Sequence, residues 1–429
     1  MKKYFIRYIP CLLLLLAAAA SSCKKDFTNP GAATSDAVLH SVSGLTGVAI
    51  GLQNNYSSAR TGLVYNTITG SGLLTNELYV VNAGNTDEAQ LGTGGGAVQN
   101  TNSLITGTWT VANKVIYDAN SILNNVNVVT DKGYASGLVA YASIFKALAI
   151  GDMAMFWNNI PDTVGKNVSF ISATAGFNKA VAVLDNAIAT VNANAISSAF
   201  TANIPAGIDI VNTLYALKAR YALFAGNYPV ALAAANNVNL AVKSTFNYNS
   251  TTLNPIFQVA TSTNNVYQVV DSAMGLPVGL QPDPNDKREP FYIAISTSPR
   301  FRIAGFGAAS TQAIPVYLPG EIMLIKAECY AQQPDIPNGL AQLNLVVTKQ
   351  PAADPFGVGA GLPPTTTTGQ ADLLQQIYKH RCIELFMSGL KLIDNKRFNR
   401  PVAERKRTYY PFPFVERNDN TNTPADPAF

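Results

Sequence analysis

The sequence predicts a mainly α-helical fold made of stacked helix pairs and interrupted by one loop-rich insertion. Three observations predict it. Apolar residues recur at helical spacing in one segment after another, from about residue 41 to 243 and again from 318 to 400. Between those stretches, residues 244–317 lose the period and are punctuated by Asn, Thr, Ser, Pro and Gly. Helices at 214–225 and 229–242 are separated only by Gly226-Asn227, a turn short enough to force antiparallel neighbours.

The chain begins with Lys2, Lys3 and Arg7, then an apolar run from Leu12 to Ala20 closed by Ser21-Ser22-Cys23. A basic start, an apolar core and small residues at the end make a secretory signal. The core is too short to cross a bilayer as a stable helix. A cysteine just after the small residues is the pattern of a bacterial lipoprotein signal, in which residues 1–22 are removed and Cys23 carries acyl chains. Two or more chains give stable anchoring, because each buried methylene contributes about 0.8 kcal/mol. The alternative is ordinary secretion with Cys23 a bystander. Residues 23–40 then read as a lipidated tether, polar from 24 to 36 and containing Pro30-Gly31.

Residues 41–429 read as a single domain. Val42, Leu45, Val48, Ala49 and Leu52 mark a first helix. Residues 82–103, rich in Gly, Asn, Thr and Gln, read as a long surface loop of the kind that often carries function. Trp109, Ala112, Ile116, Ala119, Leu123 and Val126 mark the next helix, and Leu138, Ala142, Phe145, Ala149 and Met153 the one after, ending near Trp157 and Pro161. Phe177, Val181, Leu184, Ile188 and Val191 mark another. In the 214–242 pair, Pro229 suits a first helical position, and Ala219, Ala222 and Ala225 permit close approach. The unit has the look of a tetratricopeptide-type repeat. In the insertion, 266–270 and 291–295 read as short strands. Helices return at 318–332, 338–347 and 370–388, with a Pro/Gly/Thr linker at 351–369 and an irregular tail at 409–429.

Composition excludes several functions. Loss of residues 1–22 lowers the formal charge from +4 to +1, and no basic patch argues for nucleic acid. Only 13% of residues are charged and only two are histidine, His40 and His380. No HExxH, CxxC or His/Asp cluster suggests a metal, and no cofactor is expected. There is no Gly-x-Ser-x-Gly elbow. Gly92-Thr93-Gly94 opens no helix of the dinucleotide-binding type. Cys329 and Cys382 lie in apolar-periodic segments and read as buried thiols, although an exported location would permit a disulfide.

Carboxylate pairs for glycoside hydrolysis form in space rather than in sequence, and Asp87, Glu88, Asp152, Asp271 and Asp283 stand out no more than any surface charge. Aromatics are more suggestive, because sugar C–H faces stack on rings while amides and charges read hydroxyls. Tyr79, Trp157, Tyr267, Phe291, Tyr292, Phe301 and Phe306 lie in or beside loop-like stretches. The C-terminal helix carries Arg381 and Glu384, which can pair three residues apart, and Asp394 and Arg397, which repeat the spacing. These four read as a structural ion-pair network rather than as catalysts.

These residues resemble a known family, the SusD/RagB nutrient-binding lipoproteins of Bacteroidetes. The resemblance rests on Ser22-Cys23-Lys24-Lys25-Asp26-Phe27 with Pro30, and on Trp109 through Asn120 to Leu123. It rests further on Ala216-Leu217-Lys218-Ala219-Arg220 through Gly226-Asn227-Tyr228, and on Gly320-Glu321-Ile322-Met323-Leu324-Ile325-Lys326-Ala327-Glu328. Most specific is His380-Arg381-Cys382-Ile383-Glu384-Leu385-Phe386 with Gly389, Asp394 and Arg397, followed by Tyr410-Pro411-Phe412-Pro413-Phe414-Val415-Glu416 and Asn418. His380, Ser388 and Lys391 depart from the family pattern. The resemblance implies four tetratricopeptide-like units with a loop-rich ligand face. It also implies an outer-membrane, surface-facing lipoprotein partnered with a SusC-like TonB-dependent barrel, and oligosaccharide or sometimes peptide ligands.

The expectation is therefore a non-enzymatic glycan-binding protein. Its ligand face would draw on residues 76–100 and 244–310, with Tyr79, Asn82, Asp87, Tyr267, Tyr292 and Arg302 as contacts. The alternatives are a surface glycoside hydrolase on a helical scaffold and a peptide-binding tetratricopeptide-like adaptor.

Overall fold

The computed structural model describes residues 35–262 and 265–429; Cys23 and most of the tether lie outside the described residues. The tether's last part is helical, α1 (Ser35–Leu39), and runs into α2 (Val42–Ser57). Then come α3 (Leu63–Leu74), strand β1 (Leu78–Val80), α4 (Thr86–Thr93), α5 (Ser103–Asn125) and α6 (Lys132–Phe156). Side chains cap most long helices by accepting an orphan N–H of the first turn: Ser41 for α2, Asn102 for α5 and Asp131 for α6. The most apolar window of α6 is long enough to cross a membrane but is 89% buried inside the protein, which makes α6 the central core helix.

A hairpin of β2 (Asn159–Pro161) and β3 (Phe170–Ser172) leads to α7 (Ala173–Ala193), the short α8 (Ser198–Thr201), α9 (Ile210–Phe224) and α10 (Tyr228–Ala235). The insertion holds β4 (Thr245–Phe246), β5 (Tyr267–Val269), α11 (Arg288–Tyr292), β6 (Ile293–Ile295), β7 (Phe301–Ile303) and β8 (Ile314–Pro315). Then α12 (Pro319–Gln332), α13 (Ile336–Val347), α14 (Gln370–Glu384), α15 (Lys391–Arg397) and α16 (Phe414–Asp419) complete the chain. The helices stack in sequence: α5 on α6, α6 on α7, α7 on α9, α9 on α10, α10 on α12, and α12 on both α13 and α14. The strands form antiparallel pairs only, β1–β5, β2–β3, β4–β8 and β6–β7. The mainly helical class with stacked pairs and a loop-rich insertion is thus the observed one.

Several boundaries differ, each for a local reason. Residues 82–103 are not one loop, since α4 forms there with Asp87 and Glu88 in its first turn, where carboxylates offset the exposed N–H groups. Helix α10 stops at Ala235 rather than at 242. The amide of Asn237 bonds back to Ala233 O, and Asn239 N donates to the side chain of Asn212, so Asn side chains compete with the helix ladder. Helix α14 ends at Glu384, not 388, because Met387 and Gly389 take positive φ. Helix α3 was invisible in the sequence. All its residues are buried, so it has no polar face and no period to detect.

The C-terminal tail is irregular in outline yet anchored in the core. Tyr410 stacks on Phe156 with ring centroids 4.7 Å apart, and Trp157 Nε1 donates to Pro411 O at 3.0 Å. Gly70 is the residue that makes room, since a Cβ there would sit 2.0 Å from the Tyr410 hydroxyl. Trp109 meets Trp157 edge-on and donates to Glu416 Oε2 at 3.0 Å. Cys329 and Cys382 are buried and unbonded, and burial pushes each thiol up to about 12.

The predicted ion-pair network exists, with one correction. Arg397 spans Glu328 and Asp394, and Arg381 Nε donates to Asp394 Oδ2 at 2.9 Å. Glu384 does not pair with Arg381. Its carboxylate accepts from Arg288 at 3.1 Å and from Lys349 at 2.7 Å, both from outside its helix. Arg288 is in turn held by Asp286, and Lys349 by Asp354. His380 Nδ1 lies 2.9 Å from Arg288, and burial, with Arg288 and Lys379, holds its pKa well below the ordinary value. All members of this cluster are nearly or fully buried. Arg288 and Lys349 keep Asp286 and Asp354 when Glu384 loses its charge, so the loss is that of buried hydrogen bonds to a charged group, typically about 1.5–3 kcal/mol. Glu384→Gln should therefore lower unfolding free energy by about that amount in guanidinium titration. Asp118→Asn, at the exposed Lys114–Asp118 pair, should change it by less than about 1 kcal/mol.

Candidate ligand-binding face

Two segments far apart in the chain meet at one surface. Strand β1 pairs with β5 in the register Leu78↔Val269, Tyr79↔Gln268 and Val80↔Tyr267. Strand β5 in turn packs against β7 of the β6–β7 hairpin. The joint is the buried amide of Gln268. Its Oε1 accepts from Ile303 N at 2.9 Å, and its Nε2 donates to Ala260 O and Asn265 Oδ1. Because successive strand residues point to opposite faces, Leu78 turns into the core and is fully buried, while Tyr79 turns to the other side and stays half-exposed. Arg302 sits next to Ile303 and is also half-exposed. The structure thus brings Tyr79 and Arg302 to the same buried glutamine, Tyr79 as its cross-strand partner and Arg302 beside the residue bonded to it.

The other expected contacts are placed differently. Asn82 is on the surface beside Tyr79, but its Oδ1 accepts from Gly84 N at 3.0 Å and shapes the turn into α4. Asp87 binds the backbone N–H and the hydroxyl of Ser103, tying α4 to the start of α5. Tyr267 and Tyr292 are corrections. Tyr267 is fully buried with its hydroxyl 2.9 Å from Thr69 Oγ1, and Tyr292 is 2% exposed and donates to Glu384 O at 2.7 Å. Both face the core because each ring is the apolar floor on which the insertion rests. Trp157 is also core, packed under the tail against Tyr410, and Phe291 and Phe306 pack edge-on around Tyr292. Of the aromatics named from sequence, Tyr79 carries ring surface to this face, while Phe301 lies on the other side of β7 from Arg302 and packs against the core.

Gln268 and Arg300 were missed. Gln268 was signalled by a lone amide inside the apolar run 266–270. Arg300 was signalled by its place two residues from Arg302, the spacing that puts both on one side of a strand.

The carboxylates weighed for hydrolysis are each committed elsewhere. Glu88 accepts from Arg60 and from Tyr65 at 2.7 Å, Asp271 accepts from Gly275 N, and Asp283 pairs with Lys379 at 2.7 Å. Asp152 lines an internal cavity of about 90 Å³ beneath the insertion, with Tyr56, Arg220, Phe306 and Glu321. That space admits waters but is well below the about 300–1,000 Å³ of ligand clefts. Arg220 there is neutralised by a two-pronged pair with Glu321 at 2.6 and 2.7 Å.

Burial raises Asp152 to about 7, against the opposing pull of the Tyr56 hydroxyl and of Arg220. Glu77, buried with neither carboxyl oxygen hydrogen-bonded among the described residues, is likewise raised to about 7. A carboxyl whose folded pKa is raised contributes stability that is full below its unfolded pKa near 4 and is lost as pH rises through 7. Asp152→Asn removes one such proton. Measured by denaturant titration, the variant should gain on the parent between pH 4.5 and 8, by an amount on the order of 4 kcal/mol.

No protein-family model and no curated protein sequence matches the chain. Solved structures do match. A SusD homolog from Bacteroides thetaiotaomicron VPI-5482 superposes with a TM-score of 0.71 at 11% identity, over 92% of this chain and 99% of that one. A SusD-like carbohydrate binding protein from Bacteroides vulgatus ATCC 8482 gives 0.68 at 16% identity, over 86% and 85%. A further SusD-like carbohydrate binding protein, from Bacteroides fragilis NCTC 9343, gives 0.67 at 14% identity, over 90% and 99%. Between 85% and 99% of each of these proteins is matched, and the fold of this chain is the SusD fold.

Proposed function

We propose that this chain is a glycan-binding lipoprotein of the bacterial cell surface, anchored to the outer membrane through Cys23, that passes oligosaccharides to a SusC-like TonB-dependent barrel. The observation that carries the binding reading is the face built where β1 meets the insertion. It presents a tyrosine ring and guanidinium groups on short strands stapled to a rigid helical stack. Rings for stacking, and polar groups for the hydroxyls around them, are what a saccharide site requires. Two of the matching structures are of carbohydrate binding proteins, which supports the same reading. Binding and release need no bond chemistry, in keeping with carboxylates that are engaged in caps and ion pairs.

Anchoring and delivery rest on the sequence. The lipoprotein signal supplies the membrane attachment, and the polar stretch after Cys23 supplies slack for the domain to swing above a barrel.

Calorimetry of the chain without residues 1–22 against a panel of oligosaccharides tests the binding reading. At least one should bind, and Tyr79→Ala should weaken it by about tenfold, the loss of roughly one stacking contact. Failure to bind any saccharide would overturn the reading. Cys23→Ala should leave that affinity unchanged in the purified protein yet abolish glycan uptake by cells; uptake that survives would remove the anchored-lid picture.

A further inference from the structure

We infer that the ligand of this face is an anionic glycan, one bearing carboxylates or sulfate esters, gripped by Arg300 and Arg302. The inference rests on the glycan-binding reading above and names the substrate class. Among the described residues these two arginines are exceptional. Every other one, from Arg60 near the N-terminus to Arg417 in the tail, donates at least one hydrogen bond from its guanidinium to the protein. Arg300 and Arg302 donate none, although Arg302 is half-buried. In a chain where only 13% of residues are charged and arginines are otherwise consumed in structure, two free guanidiniums side by side are unexplained by the fold.

Their placement is ordered. They lie two residues apart at the start of β7, on one side of the hairpin and about 7 Å apart along the strand. Opposite them, on β6 and just after it, are small side chains. Ala294 is the cross-strand partner of Arg302, and Ser296 N donates to Arg300 O at 2.8 Å. The guanidiniums therefore flank a shallow floor rather than a wall. Between them in sequence, Phe301 holds the Arg300 guanidinium 5.6 Å from its ring centroid, a cation–π contact that orders an otherwise mobile side chain.

No acid answers them. The segments that build the face, 78–86, 265–270 and 293–303, contain no Asp or Glu. Of the acids beside these segments, Glu77 is buried in the core, Glu88 is paired with Arg60, Asp87 accepts hydrogen bonds from Ser103, and Asp271 accepts from Gly275 N. A neutral glycan would leave this paired positive charge unused, whereas carboxylate or sulfate oxygens accept two-pronged bonds from a guanidinium.

The test uses the chain without residues 1–22 and three probes of equal length: tetragalacturonic acid, a heparin-derived tetrasaccharide and maltotetraose. At least one acidic probe should bind more than about tenfold tighter than maltotetraose, with the advantage shrinking as salt is raised. A preference for tetragalacturonic acid assigns the carboxylate, and one for the heparin fragment the sulfate ester. Arg300→Ala and Arg302→Ala should each weaken the acidic probe by about tenfold or more with thermal midpoints unchanged, and Arg302→Lys should retain part of the affinity. Maltotetraose binding as tightly as both acidic probes would overturn the inference while leaving glycan binding intact. So would an acidic preference indifferent to both alanine variants. Binding to none of the three, nor to any other saccharide, would overturn both readings.

Discussion

The architecture depends on one buried carboxylate. Glu384, at the C-terminal end of α14, gathers Arg288 from the insertion and Lys349 from the linker after α13. Its backbone oxygen receives the Tyr292 hydroxyl as well. Gly320 at the start of α12 is there to let it in, since a Cβ would fall 1.8 Å from Glu384 Oε1. Three parts of the chain without sequence proximity thus converge on one side chain. The charges are worth having only in that arrangement, because each is buried and would be costly alone. The insertion consequently sits in one position on the stack, which gives its strands a fixed relation to β1.

A second constraint closes the molecule from the other end. The tail returns to the N-terminal helices, where Tyr410 and Phe412 fill a space lined by Trp109, Phe156 and Trp157. Tail and insertion both pack on α3, which carries Gly70 under Tyr410 and Thr69 against Tyr267. The candidate face therefore stands on buried, cross-linked layers. That rigidity favours binding by a preformed surface, with little ordering cost when a ligand arrives.

Legibility followed the physics of each segment. Helices with one wet face, such as α5 and α7, were read from their period. Helix α3, buried all round, left no period to read. In the site, Tyr79 and Arg302 were legible as an aromatic and a charge in turn-rich sequence, and the structure keeps both at the surface. Tyr267 and Tyr292 carried the same local signal and proved to be core, because an isolated ring in a short strand or a single helical turn does not reveal which side of that element is covered. Arg381 and Glu384 show the same limit among charges. Their spacing permits a helical pair, but Glu384 takes its partners from the insertion and the linker, and Arg381 takes Asp394 from α15.

By itself the sequence determined the helical class, the place of the insertion and the presence of a C-terminal ion-pair network. These are local properties: periods, turn residues and charges a helical turn apart. Only the tertiary structure decided which charges pair, which aromatics are floor and which are surface, and that Gln268 staples Tyr79 to the strand of Arg302. Nearly 200 residues separate β1 from its partner strand. Contacts made across such a distance are set by how layers pack, and no window of sequence records that.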